Sequence, residues 1–227
     1  MLYITHKLLN EEKVRELQKA LLTSSDWIDG KYSAQGNARK LKRNLKLKES
    51  QSKEKLEDKI QNLMLEDTYI RYSVFPAKIF NILFSRTGVG MYYGPHVDTA
   101  YIPSGRRDLS FTLFLNDPKD YEGGELILNI PPETKKIKMK PGEMIIYPTK
   151  YLHEVKEVTK GERMVCVGWI ESQIKSDDDR SNLFLLYLVN SEIKQNYGSS
   201  GTTQKLNIAV NNIHKRFLEI TRFKKPK

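Results

Sequence analysis

Cysteine is nearly absent from this sequence: Cys166 is the only one in 227 residues. No intrachain disulfide can form, and a reducing compartment suits such a chain. No uninterrupted apolar run approaches the ~20 residues that a membrane-spanning helix needs, so no membrane partner is expected. The first residues, Met1-Leu2-Tyr3-Ile4-Thr5-His6-Lys7, lack the basic stretch followed by a long apolar one that marks a secretory signal. The expected location is cytoplasmic. No internal repeat is visible, which excludes repeat architectures. Histidine is scarce as well, with four in the chain, and two of these belong to the candidate site.

Hydrophobic residues at 39% and charged residues at 29% describe an ordinary globular protein. The length allows one large domain, or one domain with helical additions. The formal net charge of +10 is concentrated. Arg39–Lys48 holds six basic residues and no acid, and Lys215–Lys227 holds six against Glu219. The rest of the chain is close to neutral. No aromatic residue interleaves the first run, as a stacking nucleic-acid surface would require. It reads as a solvated basic segment, and the second as a basic tail. Nucleic acid is a less favoured partner than a peptide or small molecule.

Hydrophobic periodicity divides the chain into three parts. Over residues 1–76 it is helical, forming a support region. Asn10 is placed to cap a helix with Glu11 and Glu12 in its first turn and Val14, Leu17 and Leu21 in its apolar stripe. Leu56, Ile60, Leu63 and Met64 form a second stripe. Over residues 77–174 the period becomes two. Phe80, Ile82 and Phe84 alternate with their neighbours, as do Leu109, Phe111, Leu113 and Leu115. Shorter strands are expected over 125–130, 137–139, 144–147 and 163–170. They are separated by the turn signals Gly123-Gly124, Pro141-Gly142 and Lys160-Gly161. Residues 175–227 return to helix after Ser176-Asp177-Asp178-Asp179, with a break at Gly198. Leu206, Val210, Ile213, Phe217 and Ile220 make a last stripe, which packing within the chain or a homodimer through the C-terminal helix would cover. The fold class expected is α+β: a double-stranded β-helix, or jelly roll, with N-terminal buttressing helices and a C-terminal helical extension.

Within the strand region, His96-Val97-Asp98 is answered by His153 and then by Arg163. Residues two apart on an extended strand point to one side, so His96 and Asp98 can reach one metal. His153 follows the 144–147 strand, and the sheet must bring it opposite. Two imidazoles and a carboxylate hold non-haem Fe(II) on one face and leave the other positions open. Arg163 shares a strand face with Val165, Val167 and Trp169, which would bury its guanidinium. A buried arginine needs an anionic partner. An acidic co-substrate would serve through a bidentate pair, with 2-oxoglutarate the evident candidate. Cys166 points to the opposite face and is expected to pack. The loop Thr99–Asp108 comes just after the first ligands and is a candidate lid, or a plain strand connection. His6 and His214 receive no role.

The run Thr87-Gly-Val-Gly-Met-Tyr-Tyr-Gly-Pro-His96-Val-Asp98 resembles the metal-binding strand of the prolyl 4-hydroxylases. Leu109–Asn116, Tyr121–Leu126 and Lys140–Pro148 resemble the same family in order. Asp26-Trp27-Ile-Asp-Gly30 and Gly168-Trp169-Ile-Glu-Ser-Gln-Ile174 extend the likeness to the bacterial PKHD-type hydroxylases over nearly the whole chain. The resemblance implies Fe(II) at His96, Asp98 and His153, with 2-oxoglutarate at Arg163. It also implies O2 as co-substrate and ascorbate as reductant. Tyr93 matches a pocket tyrosine of that family. Two positions depart from the pattern: Thr87 stands where relatives have a tyrosine, and Phe114 has no hydroxyl to offer Arg163. Thr112 is expected to face the barrel interior instead.

The implied activity is hydroxylation of an unactivated C–H bond, on a peptidyl prolyl or related amino-acid group, with release of succinate and carbon dioxide. An oxidative nucleic-acid demethylase is an alternative, but those enzymes carry a second arginine on the Arg163 strand, and 164–170 contains none. A non-catalytic iron or 2-oxoglutarate sensor is a third reading, which the intact triad and Arg163 do not favour.

Overall fold

A computed structural model describes residues 3–34 and 36–222. In chain order the elements are β1 (Ile4–Lys7), α1 (Glu11–Leu22), β2 (Trp27–Asp29), β3 (Lys42–Arg43), β4 (Leu45–Leu47), α2 (Gln51–Glu66) and α3 (Thr68–Val74). Then come β5 (Pro76–Thr87), β6 (Tyr92–His96), β7 (Tyr101–Ile102), β8 (Gly105–Arg106), β9 (Leu109–Phe114), β10 (Tyr121–Gly123), β11 (Leu126–Ile130) and β12 (Glu133–Ile137). β13 (Glu143–Pro148), β14 (Leu152–Val155), β15 (Val158–Gly161), β16 (Arg163–Ser172), α4 (Asp177–Tyr197) and α5 (Gly201–Arg222) complete the described chain.

Two antiparallel sheets form the jelly roll. The larger runs β1-β13-β9-β16-β5-β4-β2 and the smaller β12-β11-β14-β6-β3. The larger sheet is covered on both faces, so β9 is buried at every position. Its outer side takes Leu109, Phe111, Leu113, Met144 and Ile146 into one core with Val14, Leu17 and Leu21 of α1 and Ile60 and Met64 of α2. Its inner side sets Phe114, Ile145, Tyr147 and Val165 against Leu126, Leu128 and Ile130 of the smaller sheet. The helices α1 and α2 thus buttress the larger sheet. The Asn10 side chain accepts from Lys13 N at 2.9 Å, as an N-cap should. Cys166 lies fully buried in the helix-side core.

Four local expectations are corrected. Phe80, Ile82 and Phe84 do not share one face. The β5–β16 register slips between Val167 and Trp169, and Asn81 takes a left-handed φ of 49°. This bulge puts Ile79, Ile82 and Phe84 on the helix side. Leu83, Ser85 and Thr87 line the interior cavity. The strand expected at 137–139 is instead β12, ending at Ile137 and paired with β11. No separate strand is expected around His153, yet it follows β13 on a strand of its own, β14, in the smaller sheet.

The basic run 39–48 is the fourth correction, because it is not merely solvated. β3 pairs with β6 of the smaller sheet, and two residues later β4 pairs with β5 of the larger. This short stretch of chain straps the two sheets together at one end of the barrel. Leu47 anchors the strap in the core, and Asn44 Nδ2 donates to Ser85 Oγ at 2.6 Å. Alternating side chains turn Lys42 and Lys46 toward the cavity while Arg43 stays exposed.

The C-terminal helices pack on α3. Tyr72 and Tyr187 stack with ring centroids 3.8 Å apart, and Phe217 joins Phe75, Ile174 and Leu183. Of the last apolar stripe, Val210 is buried and Ile213 is exposed. The side chain of Ile220 and the basic tail beyond Arg222 lie outside the described residues. No described helix is long and apolar enough to cross a membrane.

Candidate metal and co-substrate site

The metal candidates converge because of strand register. β14 and β6 pair so that His153 and His96 are cross-strand partners, which places their side chains side by side on one face. β6 ends at His96, and Asp98 lies just past it rather than on the strand. The nitrogen and oxygen ligand atoms of His96, Asp98 and His153 all lie within 4.8 Å of one another. Both imidazoles are fixed in one tautomer. His96 Nδ1 is 2.8 Å from Gly94 O and His153 Nδ1 is 2.9 Å from Tyr151 O. A carbonyl only accepts, so each Nδ1 carries the proton and each Nε2 presents a lone pair.

Asp98 is held in turn. Trp169 Nε1 donates to its Oδ2 at 3.0 Å, and that oxygen stands 4.0 Å from His153 Nε2. Tyr93 stacks on His96 with centroids 3.7 Å apart. Burial first, then the neighbouring His153, lowers the His96 pKa to about 4. The ring therefore stays neutral at physiological pH, as a metal ligand must. Two imidazoles and one carboxylate, oriented by backbone carbonyls and an indole, fit a divalent transition metal.

Arg163 opens β16 opposite Thr87 and is 3% exposed. Among the described residues no carboxylate pairs with it, and its Nε has no hydrogen-bond partner. Gly124 makes room: a Cβ there would meet Arg163 Cδ at 3.2 Å, and its φ of +67° suits glycine. The guanidinium lies over the Phe114 ring at 5.4 Å. Thr87, Thr112 and Tyr93 all line the same cavity, so Thr112 does face the barrel interior.

Where Thr87 offers only an aliphatic hydroxyl and Phe114 none, two phenols from other strands stand near Arg163. Tyr121 and Tyr147, from β10 and β13, are buried close enough to Arg163 to interact with it electrostatically. Burial raises both phenol pKa values, so each remains a hydrogen-bond donor. Arg163 apart, Tyr121 Oη has no hydrogen-bond partner among the described residues. Sequence reasoning missed these two. Tyr147 was within reach, because it shares the β13 face of Ile145; Tyr121 comes after a loop and gave no periodic signal. Trp169 was read as a face partner of Arg163 without its bond to Asp98.

At the mouth, residues 99–108 form an ordered hairpin of β7 and β8. Arg106 pins its base through Asp108 Oδ1 at 2.7 Å, Glu171 Oε1 at 3.2 Å and Ser172 O at 2.7 Å. Arg107 turns inward and lies 4.0 Å over the Trp169 ring. Across the opening Lys42 Nζ donates to Ser33 Oγ at 2.9 Å and lies 4.7 Å over Tyr93. The cavity behind this mouth is about 140 Å³. The other two histidines lie away from it: His6 Nε2 is 2.8 Å from Asp67 Oδ2, and His214 packs on Phe75.

A two-sheet barrel with this donor set at its mouth defines a class, the iron- and 2-oxoglutarate-dependent oxygenases, and residues 82–171 match the 2OG-Fe(II) oxygenase superfamily. The chain is 42% identical over 218 residues to a PKHD-type hydroxylase of Prochlorococcus marinus strain NATL1A, covering 95% of this chain and 99% of that one. It is 45% identical over 183 residues to a PKHD-type hydroxylase of strain MIT 9313, covering 80% and 83%. Among solved structures, a Pseudomonas putida prolyl-4-hydroxylase superposes with a TM-score of 0.56 at 16% identity, over 75% of this chain and 92% of that one. A Trichoplax adhaerens prolyl hydroxylase solved with a hypoxia-inducible-factor peptide gives 0.56 at 16% identity, over 80% and 86%. The chain belongs to the PKHD-type hydroxylases.

Proposed function

We propose that His96, Asp98 and His153 hold Fe(II) and that Arg163 binds the distal carboxylate of 2-oxoglutarate. On this reading the enzyme hydroxylates an unactivated C–H bond of a peptidyl prolyl or related amino-acid group. The observation that carries it is a pair of incomplete partners in one cavity. Two imidazole Nε2 lone pairs converge with a carboxylate, and a buried guanidinium has no anion. Bound there, iron would couple oxidative decarboxylation of 2-oxoglutarate by O2, to succinate and carbon dioxide, with hydroxylation of the substrate.

The chain's own residues bind, orient and exclude. Arg163, itself buried, offers a planar fork to a carboxylate. Tyr121 and Tyr147 can donate to the same group, and Thr112 adds a hydroxyl beside them. Gly94 O and Tyr151 O keep the proton on each Nδ1, and Tyr93 shields one ring from solvent. Ascorbate is proposed as the accessory reductant on the resemblance to prolyl 4-hydroxylases. The single buried Cys166 fits a reducing cytoplasm.

Anaerobic titration with Fe(II) and 2-oxoglutarate tests the assignment. A visible charge-transfer band should form in the wild type and be absent in His96→Ala and Asp98→Ala. Arg163→Ala should retain iron and lose 2-oxoglutarate affinity by at least tenfold, since about 2–5 kcal/mol attends truncation of a buried charge partner. A normal band in both ligand variants removes the metal site, and unchanged affinity in Arg163→Ala removes the co-substrate role.

A further inference from the structure

The charge of the cavity is out of balance in a way the iron and the co-substrate do not correct. Lys42, Lys46, Arg107 and Arg163 line it against one carboxylate, Asp98. The proposed metal adds two positive charges and 2-oxoglutarate brings two negative ones, which go to the metal and to Arg163. Asp98 is then committed to the metal. Lys46 has Glu49 at 3.8 Å. Lys42 and Arg107 form no ion pair among the described residues, and their protein hydrogen-bond partners are the neutral hydroxyls Ser33 Oγ and Thr99 Oγ1.

Both cations are also held in place toward the metal ligands. Lys42 lies over Tyr93, which stacks on His96. Arg107 lies over Trp169, which donates to Asp98. They therefore flank the opening from two sides, one from the strap between the sheets and one from the hairpin base. Arg107 Nε is buried and has no hydrogen-bond partner among the described residues. Partly desolvated, preorganised and unpaired cations on either side of a cavity mouth are complementary to an anion.

We infer that Lys42 and Arg107 receive an anionic group, a carboxylate or phosphate, carried by the hydroxylated substrate. The substrate class is then an acidic amino-acid derivative or an acidic peptide segment rather than a neutral prolyl stretch. This rests on the proposed iron and 2-oxoglutarate site, because the carbon presented to the oxidant is the one near that anion. The exposed basic residues of the same run, such as Lys40 and Arg43, are outside the cavity and are not part of the site.

The test uses the full chain loaded anaerobically with Fe(II) and saturating 2-oxoglutarate, so that Arg163 is already occupied. Binding of N-acetyl-glutamate N-methylamide, N-acetyl-O-phosphoserine N-methylamide and the neutral N-acetyl-glutamine N-methylamide is measured by calorimetry up to tens of millimolar. The first two distinguish carboxylate from phosphate as the preferred anion. At least one anion should bind and the neutral amide should not. Lys42→Gln and Arg107→Gln should each weaken that binding on the order of tenfold, as loss of a charged hydrogen-bond donor does. Lys40→Gln should leave it unchanged. All three variants should still form the charge-transfer band with wild-type 2-oxoglutarate affinity. Absence of anion binding beside an intact band overturns this inference alone, as does equal weakening by Lys40→Gln. Failure of the band in the wild type overturns the functional reading and this inference with it.

Discussion

Trp169→Phe isolates one hydrogen bond of the candidate metal site. The indole Nε1 donates to Asp98 Oδ2 at 3.0 Å, and the Asp98 side chain is 9% exposed. Phenylalanine removes the donor but keeps an aromatic face for Arg107. Without it the carboxylate loses both a charged hydrogen bond and the partner that fixes its rotamer. Hydrogen bonds to charged groups are worth about 1.5–3 kcal/mol. At about 1.4 kcal/mol per tenfold in affinity, that is roughly tenfold to a hundredfold weaker metal binding. Loss of outer partners of metal ligands typically costs about 10–100-fold as well. The expected result is weaker Fe(II) binding in anaerobic competition titration, with the far-ultraviolet circular dichroism unchanged. Affinity for 2-oxoglutarate at saturating iron should be near wild type, because Arg163 is untouched. Iron affinity within twofold of wild type would show that Asp98 does not depend on the indole.

The same geometry predicts three other outcomes. Tyr121→Phe should weaken 2-oxoglutarate binding about three- to tenfold, the worth of one net hydrogen bond, with iron affinity constant in the same titration. For the metal-free protein, His96 has a folded-state pKa of about 4 against 6.5 for the ordinary group. Between those values the unfolded chain holds more protons, so stability present above about pH 6.5 is lost as the pH falls toward 4. Thermal melts across that window should show the decline, and His96→Gln should reduce it. Gly142→Ala should destabilise the fold by about 1–3 kcal/mol, measured as a lower urea midpoint at constant slope. Its φ is +85°, and a Cβ would stand 2.4 Å from Leu9 O.

The Pro141-Gly142 turn shows what short-range chemistry makes legible. Glu143 N bonds Lys140 O at 3.1 Å across it, as the dipeptide predicts. The same holds for the Asn10 cap, which accepts from Lys13 N. Arg163 was also readable, because β16 keeps strict alternation over its first residues and puts it among Val165, Val167 and Trp169. Alternation failed where a bulge intervened: Asn81 is opposed by no partner of its own, and nothing in its neighbours announces φ of 49°. The basic run misled for a related reason. Its charges satisfied a solvated reading, while the short strands Lys42–Arg43 and Leu45–Leu47 exist only because two sheet edges lie within reach of them.

By itself the sequence determined the main helices and strands, the Asn10 cap, the Pro141-Gly142 turn and the identities of two imidazoles, one carboxylate and one buried guanidinium. Those depend on backbone periodicity and side-chain chemistry, which act over a few residues. Only the tertiary structure decided that His96 sits opposite His153, that Tyr121 and Tyr147 meet Arg163, and that Lys42 and Arg107 flank the mouth from two sides. These depend on strand register and on which residues close the barrel. Both are set by the packing of two sheets against each other and against the helices, over separations that no local pattern encodes.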